Sequence, residues 1–149
     1  MLDIEAIRRR LPLRYPYLMI DRIVEESDER VVALKNVTVN EPFFQGHFPE
    51  PLEAVMLGTL ILEAMAQTVA FLIPQSAEGE AREGYLVGVE KARFRRKVIP
   101  GDQLRVEARR TRARRGLLQA DVSASVDGEL AASATISLLT AGGAAEGRS

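Results

Sequence analysis

Two side chains in this sequence have the types and surroundings needed for proton transfer. His47 is the only histidine among the 149 residues and lies in the segment Phe-Phe-Gln-Gly-His-Phe-Pro, residues 43–49. Glu63 is the single carboxylate in the apolar run 58–73 that follows. Imidazole titrates near neutral pH, and an apolar helix disfavours the charged form of a carboxyl group, which suits a general acid. The pair predicts acid–base chemistry, provided that the fold brings both groups to one substrate.

The composition excludes several other kinds of site. The chain has no cysteine, which rules out disulfides, thiolate zinc sites and cysteine nucleophiles. A single histidine without a dense carboxylate motif predicts no metal site. No apolar run reaches the roughly 18 residues expected of a membrane span, and the N-terminal residues lack the plan of a signal peptide. We therefore expect a cytoplasmic protein without a transmembrane segment.

Basic residues cluster at two places although the net charge is only −1. The first group is Lys91, Arg93, Arg95, Arg96 and Lys97, and the second is Arg109, Arg110, Arg112, Arg114 and Arg115. Such groups suit an acidic partner, whether protein, phosphate or nucleic acid, but they also suit solvated strand faces. Because no nucleic-acid-binding motif accompanies them, we expect no nucleic-acid partner.

A buried helix and an antiparallel sheet are the elements that must position these groups. Residues 58–73 are apolar around nearly the whole circumference of a helix, which indicates burial on most sides. A short helix is predicted over residues 3–11 with Asp3 as its N-cap. Strand patterns cover residues 19–24, 31–39, 85–95, 103–110, 117–126 and 129–140, and Asp127-Gly128 indicates a hairpin. The sequence therefore predicts an α+β fold with one sheet wrapped around one helix.

One domain accounts for the predicted elements. Residues 1–140 contain all of them, and we expect a flexible tail over residues 141–149, which have little to pack with. A lone sheet would leave its edges exposed, so pairing with a second copy is expected. Because aromatic side chains dominate core burial, five aromatics are expected in the core rather than along a substrate channel. They are Tyr15, Tyr17, Phe43, Phe44 and Phe48.

Four motifs resemble, in order, those of one protein family. They are Leu-Pro-Leu-Arg-Tyr-Pro-Tyr-Leu-Met-Ile-Asp-Arg at 11–22, Asn-Glu-Pro-Phe-Phe-Gln-Gly-His-Phe-Pro at 40–49, Glu-Ala-Met-Ala-Gln at 63–67 and Lys-Ala-Arg-Phe-Arg-Arg-Lys-Val-Ile-Pro-Gly-Asp at 91–102. Together they are similar to the (3R)-hydroxyacyl-[acyl-carrier-protein] dehydratases of the Z type, from bacterial type II fatty-acid synthesis. The resemblance covers roughly residues 4–139. It implies the hotdog fold, in which a curled antiparallel sheet surrounds a long helix, and homodimers that often form trimers of dimers.

The resemblance also implies a reaction and a role for each site residue. His47 would remove the C2 proton of a 3-hydroxyacyl thioester, and Glu63 of the partner subunit would assist departure of the 3-hydroxyl group as water. Gln67 would hold that carboxyl group, while Gly58 and Phe48 would position the substrate and its enolate oxygen. The acyl carrier protein would bind at Arg93, Arg95, Arg96 and Lys97. Its phosphopantetheine carries the substrate, so no further cofactor is implied.

The chain departs from the family pattern near the start of the helix. The family usually reads Gly-His-Phe-Pro-Gly-x-Pro-x-Met-Pro-Gly, whereas here Glu50 replaces a glycine, Leu57 replaces the last proline, and the loop is two residues longer. Leu13 also stands where the family commonly has histidine. Lost glycine and proline constraints could displace backbone N–H donors, and about 1 Å of displacement can cost roughly a hundredfold in rate.

These departures leave other functions open. One is a catalytically weakened paralogue that binds acyl carrier or acyl thioesters, and others are a hotdog thioesterase and an enoyl-CoA hydratase. At the level of single residues, His47 could instead be a packing residue in a turn. Glu63 could likewise be a buried structural carboxylate paired with an arginine, because structural ion-pair networks also perturb pKa values.

Overall fold

One long helix and six strands account for most of the structure, a computed structural model that describes residues 1–48, 51–74 and 83–140. In chain order the elements are α1 (Ile4–Arg10), β1 (Arg22–Glu26), β2 (Arg30–Asn36), a 3-10 helix (Pro42–Gln45), α2 (Gly58–Ala70), β3 (Gly84–Phe94), β4 (Gln103–Arg114), β5 (Leu117–Val126) and β6 (Glu129–Thr140). The predicted tail, residues 141–149, and the substituted Glu50 lie outside the described residues.

The six strands form one antiparallel sheet in the order β1-β2-β4-β5-β6-β3. Alternate residues of β5 are buried, and helix α2 packs against β2, β3, β4, β5 and β6. Because successive strand side chains point to opposite faces, this alternation gives the sheet one apolar face that packs on the core and one solvent-facing side. The sheet curls around α2, which confirms the predicted α+β hotdog fold.

Helix α2 is the centre of the hydrophobic core. Ala64, Met65 and Val69 are fully buried, and the apolar faces of the strands pack around them. Small side chains such as Ala64 allow the sheet to approach closely, and each large apolar side chain contributes about 1.5–3 kcal/mol when fully buried. The buried hydroxyl group of Thr68 donates to the Ala64 carbonyl at 2.9 Å, so its hydrogen bond is satisfied within the helix.

The ends of some elements differ from the sequence predictions. Helix α2 ends at Ala70 rather than 73, because the N–H groups of Leu72 and Ile73 bond three residues back (2.9 and 3.2 Å) and Pro74 follows. Strand β4 continues to Arg114, beyond the predicted 110, since it stays paired with β5 up to their shared hairpin.

Three of the aromatic residues predicted in the core are exposed. Tyr15 and Tyr17 are 80% and 66% exposed, and Phe48 is 49% exposed. Phe44 is buried and Phe43 is half-buried against the core, as predicted. The prediction was wrong for the tyrosines because they lie in a turn, where Tyr17 is anchored by its backbone carbonyl rather than its ring.

In the part of the chain described by the structure, no helix has the length and apolar character required to cross a bilayer.

Candidate active site

The 3-10 helix Pro42–Gln45 and the turn after it carry His47. The His47 backbone N–H donates to the Phe43 carbonyl at 3.0 Å, and the His47 Nδ1 atom lies 2.5 Å from the Val55 carbonyl oxygen. A carbonyl oxygen only accepts, so Nδ1 must carry the proton in this contact. In the neutral imidazole, Nε2 then keeps its lone pair and can act as a base.

The ring of Phe48 stacks on the imidazole of His47. The ring centroids are 4.5 Å apart and the ring planes are inclined by 18°. Phe48 has φ of +54°, a left-handed conformation that is uncommon for a side chain of this size. The stacking limits rotation of the imidazole and covers one of its faces.

Glu63 and Gln67 lie one turn apart on α2 and are in contact. Gln67 Nε2 donates to Glu63 Oε1 at 2.9 Å, which confirms the predicted hydrogen bond. The same Nε2 donates to the Tyr17 carbonyl at 2.7 Å, and Gln67 Oε1 accepts from the Met19 N–H at 2.8 Å. These three hydrogen bonds determine the orientation of the Gln67 amide, and the amide in turn holds the Glu63 carboxyl group. Glu63 forms no ion pair with an arginine of the described ranges, so the structural alternative lacks its expected partner.

His47 and Glu63 line different cavities of the single chain. The His47 cavity has a volume of about 440 Å³, with Phe48, Ile61 and Phe94 among its apolar lining residues. Its basic lining residues are Arg95, Arg96 and Lys97. The Glu63 cavity, of about 170 Å³, is lined by Gln67 and by apolar residues including Leu13, the position where the family commonly has histidine.

The N-terminus of α2 opens at the His47 cavity. The helix begins at Gly58, no side chain caps it, and its first turn contains no acidic residue. Backbone N–H groups at a helix start have no partner within the helix and can bind a developing negative charge. A Cβ atom on Gly58 would lie only 3.0 Å from Cε1 of Phe94, so the close approach requires glycine.

The last residues of the altered loop place the start of α2 at the cavity. Leu57 has φ of −59° and ψ of 135°, and this φ is the one that a proline would impose. The Met56 N–H donates to the Val98 carbonyl at 2.8 Å, which anchors the end of the loop. Replacement of proline by leucine is therefore compatible with the local backbone.

The basic residues expected to bind the carrier protein differ in their surroundings. Arg96 pairs with Glu129 at 3.1 Å and with Asp102 at 3.5 Å, and Lys97 pairs with Glu53 at 3.3 Å. The guanidinium group of Arg93 donates to the Ala92 carbonyl at 2.9 Å. Of these four side chains, only that of Arg95 has no hydrogen-bond or ion-pair partner among the described residues, and it lines the His47 cavity.

Strand β3 is an edge of the sheet and carries a row of exposed apolar side chains. They are Tyr85, Leu86, Val87, Val89 and Phe94, each 38–55% exposed. An apolar strand with unpaired backbone groups is a ready site for another strand. The sequence predicted pairing between copies but did not indicate which edge would serve.

Three features of the site were not predicted from the sequence. The Val55 carbonyl, which determines the imidazole tautomer, is a backbone atom and leaves no mark in residue type. The contact between Phe94 and Gly58 joins segments far apart in the chain. The ion pair of Lys35 and Glu41, which precedes the His47 segment, could have been noticed as a lysine within the apolar strand 31–37.

Comparisons with known proteins agree with this architecture. Residues 11–135 match the model of the FabA-like domain. The chain is 47% identical over 136 residues to the 3-hydroxyacyl-[acyl-carrier-protein] dehydratase FabZ of Streptococcus equi subsp. zooepidemicus, with 91% of this chain and 96% of the relative covered. It is 48% identical over 137 residues to the FabZ protein of Oceanobacillus iheyensis, with the same coverage.

A solved structure shows the same fold at lower sequence similarity. The dehydratase heterocomplex ApeI:P from Xenorhabdus doucetiae has a chain that superposes with a TM-score of 0.76, at 15% identity and 90% coverage of both chains. At that identity the likeness concerns the fold alone. The family match and the FabZ relatives extend over most of the sequence, and we conclude that the chain belongs to the FabA-like domain family.

Proposed function

We propose that this protein dehydrates (3R)-hydroxyacyl-[acyl-carrier-protein] to trans-2-enoyl-[acyl-carrier-protein] in fatty-acid biosynthesis. The relatives that are nearly half identical over 91% of the chain bear the name of this activity. The observation that carries the proposal is the contact of His47 Nδ1 with the Val55 carbonyl, because it leaves Nε2 as the base of a cavity-lining imidazole.

The proposed reaction moves one proton at each end of the bond that becomes double. Nε2 of His47 accepts the C2 proton, and the negative charge on the thioester oxygen is bound by N–H groups at the start of α2. The C3–O bond then breaks, and Glu63 of the partner subunit donates a proton to the departing hydroxyl group, forming water. A proton subsequently passes from the imidazolium to the carboxylate, which restores both groups. The elimination of water involves no net oxidation or reduction, so no electron carrier is needed.

The separate positions of the two groups support a site shared between subunits. In one chain His47 and Glu63 line different cavities, and the exposed apolar strand β3 offers an edge for a second copy. We therefore propose a homodimer joined along β3, with the option of a trimer of dimers. Each of its active sites would combine His47 of one chain with the partner's Glu63.

A mixed-dimer experiment tests this arrangement directly. His47→Ala and Glu63→Gln should each abolish hydration of crotonyl-[acyl-carrier-protein]. When the two inactive variants are co-expressed, a shared site should restore about a quarter of wild-type activity, since half the dimers are mixed and each contains one intact site. Failure to restore any activity in verified mixed dimers would contradict a shared site. Full activity of the His47→Ala homodimer would contradict the proposed function itself.

The carrier protein is proposed to bind beside the His47 cavity, at Arg93, Arg95, Arg96 and Lys97. Arg95 is the sharpest probe because its guanidinium group has no partner among the described residues. Arg95→Glu should raise KM for a carrier-bound substrate several-fold more than for the same acyl group on CoA. The control is Arg22→Glu, an exposed arginine on β1 at the opposite edge of the sheet, which should leave both KM values unchanged.

The same assays separate the other functions that the sequence leaves open. Release of free thiol from acyl-CoA would indicate a thioesterase, and preference for CoA over carrier protein would indicate an enoyl-CoA hydratase. Tight binding of acyl carrier protein without turnover would indicate a weakened paralogue. We also propose that residues 1–140 form the catalytic domain, so a chain ending at Thr140 should retain full activity, and that the enzyme works in the cytoplasm.

A further inference from the structure

A lysine lies buried beside the segment that carries His47. The side chain of Lys35, on β2, is only 5% exposed, and its ammonium group pairs with the Glu41 carboxylate, whose side chain is 16% exposed. Lys35 stands opposite Leu104 in the sheet, so its backbone belongs to the rigid interior of the fold. A charged group taken out of water is costly unless it is paired, so the fold must keep the Glu41 carboxylate next to this ammonium group.

Glu41 connects that lysine to the backbone that leads to His47. Its second carboxylate oxygen accepts from the Thr38 N–H at 3.2 Å, and its carbonyl accepts from the Phe44 N–H at 3.2 Å at the start of the 3-10 helix. The Phe43 carbonyl then accepts from the His47 N–H at 3.0 Å. Three contacts and the peptide bond between Phe43 and Phe44 therefore join the Lys35 ammonium group to the backbone of His47, and the Thr38 N–H holds the same carboxylate from the side.

The far end of this path determines which imidazole nitrogen is free. The Nδ1 atom of His47 reaches the Val55 carbonyl at 2.5 Å, in a loop that is anchored separately. The hydrogen bond requires the turn at residues 46–48 and the loop at 55 to keep their relative position. Apolar packing alone would hold the turn less specifically, because it has no preferred direction.

We propose that Lys35 and Glu41 are positioning residues for His47, and that their buried ion pair keeps Nδ1 on the Val55 carbonyl and Nε2 free as the base. The pair touches neither substrate nor the reacting atoms. This inference rests on the proposed function, in which His47 is the base, and it adds the residues that establish the tautomer of that base.

The test uses Lys35→Met together with Glu41→Gln in the full chain. Methionine fills the space of lysine, and glutamine keeps an acceptor for the Thr38 N–H, so no unpaired charge is left behind. The matched control is Arg8→Met with Glu5→Gln, which removes an exposed ion pair of α1 at 3.4 Å with the same change in charge. The control should keep wild-type kcat.

Two readouts distinguish positioning from mere stabilisation. Because His47 is the only histidine, its imidazole nitrogen signals in the NMR spectrum of ¹⁵N-labelled protein need no assignment. We expect the Nδ1–H tautomer in the wild type and a shift toward Nε2–H in the double variant. We expect kcat to fall about 10- to 100-fold, as for a displacement approaching 1 Å, with KM changed less than threefold.

An unchanged tautomer would overturn the inference, whether or not kcat falls, because any loss would then arise elsewhere. If the double variant does not fold, Lys35→Met alone is measured by the same two readouts, because the less buried Glu41 carboxylate keeps its hydrogen bond from the Thr38 N–H. His47→Ala separates this outcome from failure of the proposed function. Activity of the His47→Ala protein would refute the function. An inactive His47→Ala protein, together with a double variant of wild-type tautomer and kcat, would refute only the role of Lys35 and Glu41.

Discussion

The contact of Gly58 with Phe94 predicts that one added methyl group will lower activity without lowering stability. In Gly58→Ala the new Cβ would meet Cε1, Cζ and Cδ1 of the Phe94 ring at 3.0, 3.2 and 3.3 Å. Ordinary contact begins near 3.4 Å, so the ring and the helix start must separate by about 0.4 Å. Since 1 Å of displacement costs about a hundredfold, we expect kcat to fall roughly five- to tenfold.

Stability should change in the other direction or not at all. Gly58 does not have a positive φ, so alanine adopts its backbone conformation without strain and restricts the unfolded chain, which is worth about 0.4–1 kcal/mol and offsets the close contact with the ring. Phe94 is half exposed, so the added methyl group disturbs packing at the surface rather than in the core. The measurements are kcat for hydration of crotonyl-[acyl-carrier-protein] and Tm by differential scanning calorimetry. Thr59→Ala, at the exposed next position of α2, controls for the change in helix propensity.

A double variant identifies the cause of the loss. Phe94→Leu shortens the ring that the new methyl group meets, so adding it to Gly58→Ala should recover part of the lost kcat. If Gly58→Ala keeps kcat within twofold, the helix start does not need its observed position. If the loss persists unchanged in the double variant, the Phe94 ring is not its cause, and the reasoning from this contact is refuted.

Three further predictions concern the frame around the site. Gln67→Leu leaves the Met19 N–H and the Tyr17 carbonyl without their buried partner, so the free energy of unfolding in urea should fall by about 1–3 kcal/mol. The pKa of Glu107 is lowered from 4.5 to about 2, chiefly by its hydrogen bond from an arginine of β2. A carboxyl group with a lowered pKa stabilises the fold at neutral pH, and this stabilisation is lost as pH falls from 4.5 through 2. Glu107→Gln should therefore lower the free energy of unfolding by about 1 kcal/mol at pH 7, after solvent screening, and by little at pH 2. Val87→Lys, on the exposed edge strand, should dissociate the proposed dimer in light-scattering measurements and lower activity in proportion.

Each of these predictions has a clear contrary result. Wild-type stability of Gln67→Leu would mean that water replaces the lost amide. A constant stability difference for Glu107→Gln between pH 7 and pH 2 would mean that the carboxylate charge contributes nothing. A stable dimer of Val87→Lys would place the interface between copies elsewhere than on β3.

The elements were predictable wherever local physics decides them. Asp3 was expected as an N-cap, and its carboxylate accepts from the Ala6 N–H at 2.9 Å. Asp127 and Gly128 were expected in a hairpin, and both have positive φ, 51° and 80°, as a two-residue turn between antiparallel strands requires. The apolar circumference of residues 58–73 likewise predicted a buried helix. These features depend on residues only a few positions apart.

The contacts that would make the site work depend on distant parts of the chain. Side-chain types alone pointed to His47 and Glu63, because a lone imidazole and a carboxylate in an apolar helix are unusual in themselves, whereas Gln67 followed from the family resemblance and its place one turn after Glu63. Which imidazole nitrogen is free, however, depends on the Val55 carbonyl, and the shape of the cavity depends on Phe94 lying over Gly58. Backbone atoms and ring positions become defined only after the sheet has curled around α2, so tertiary packing decided what residue identity could only suggest.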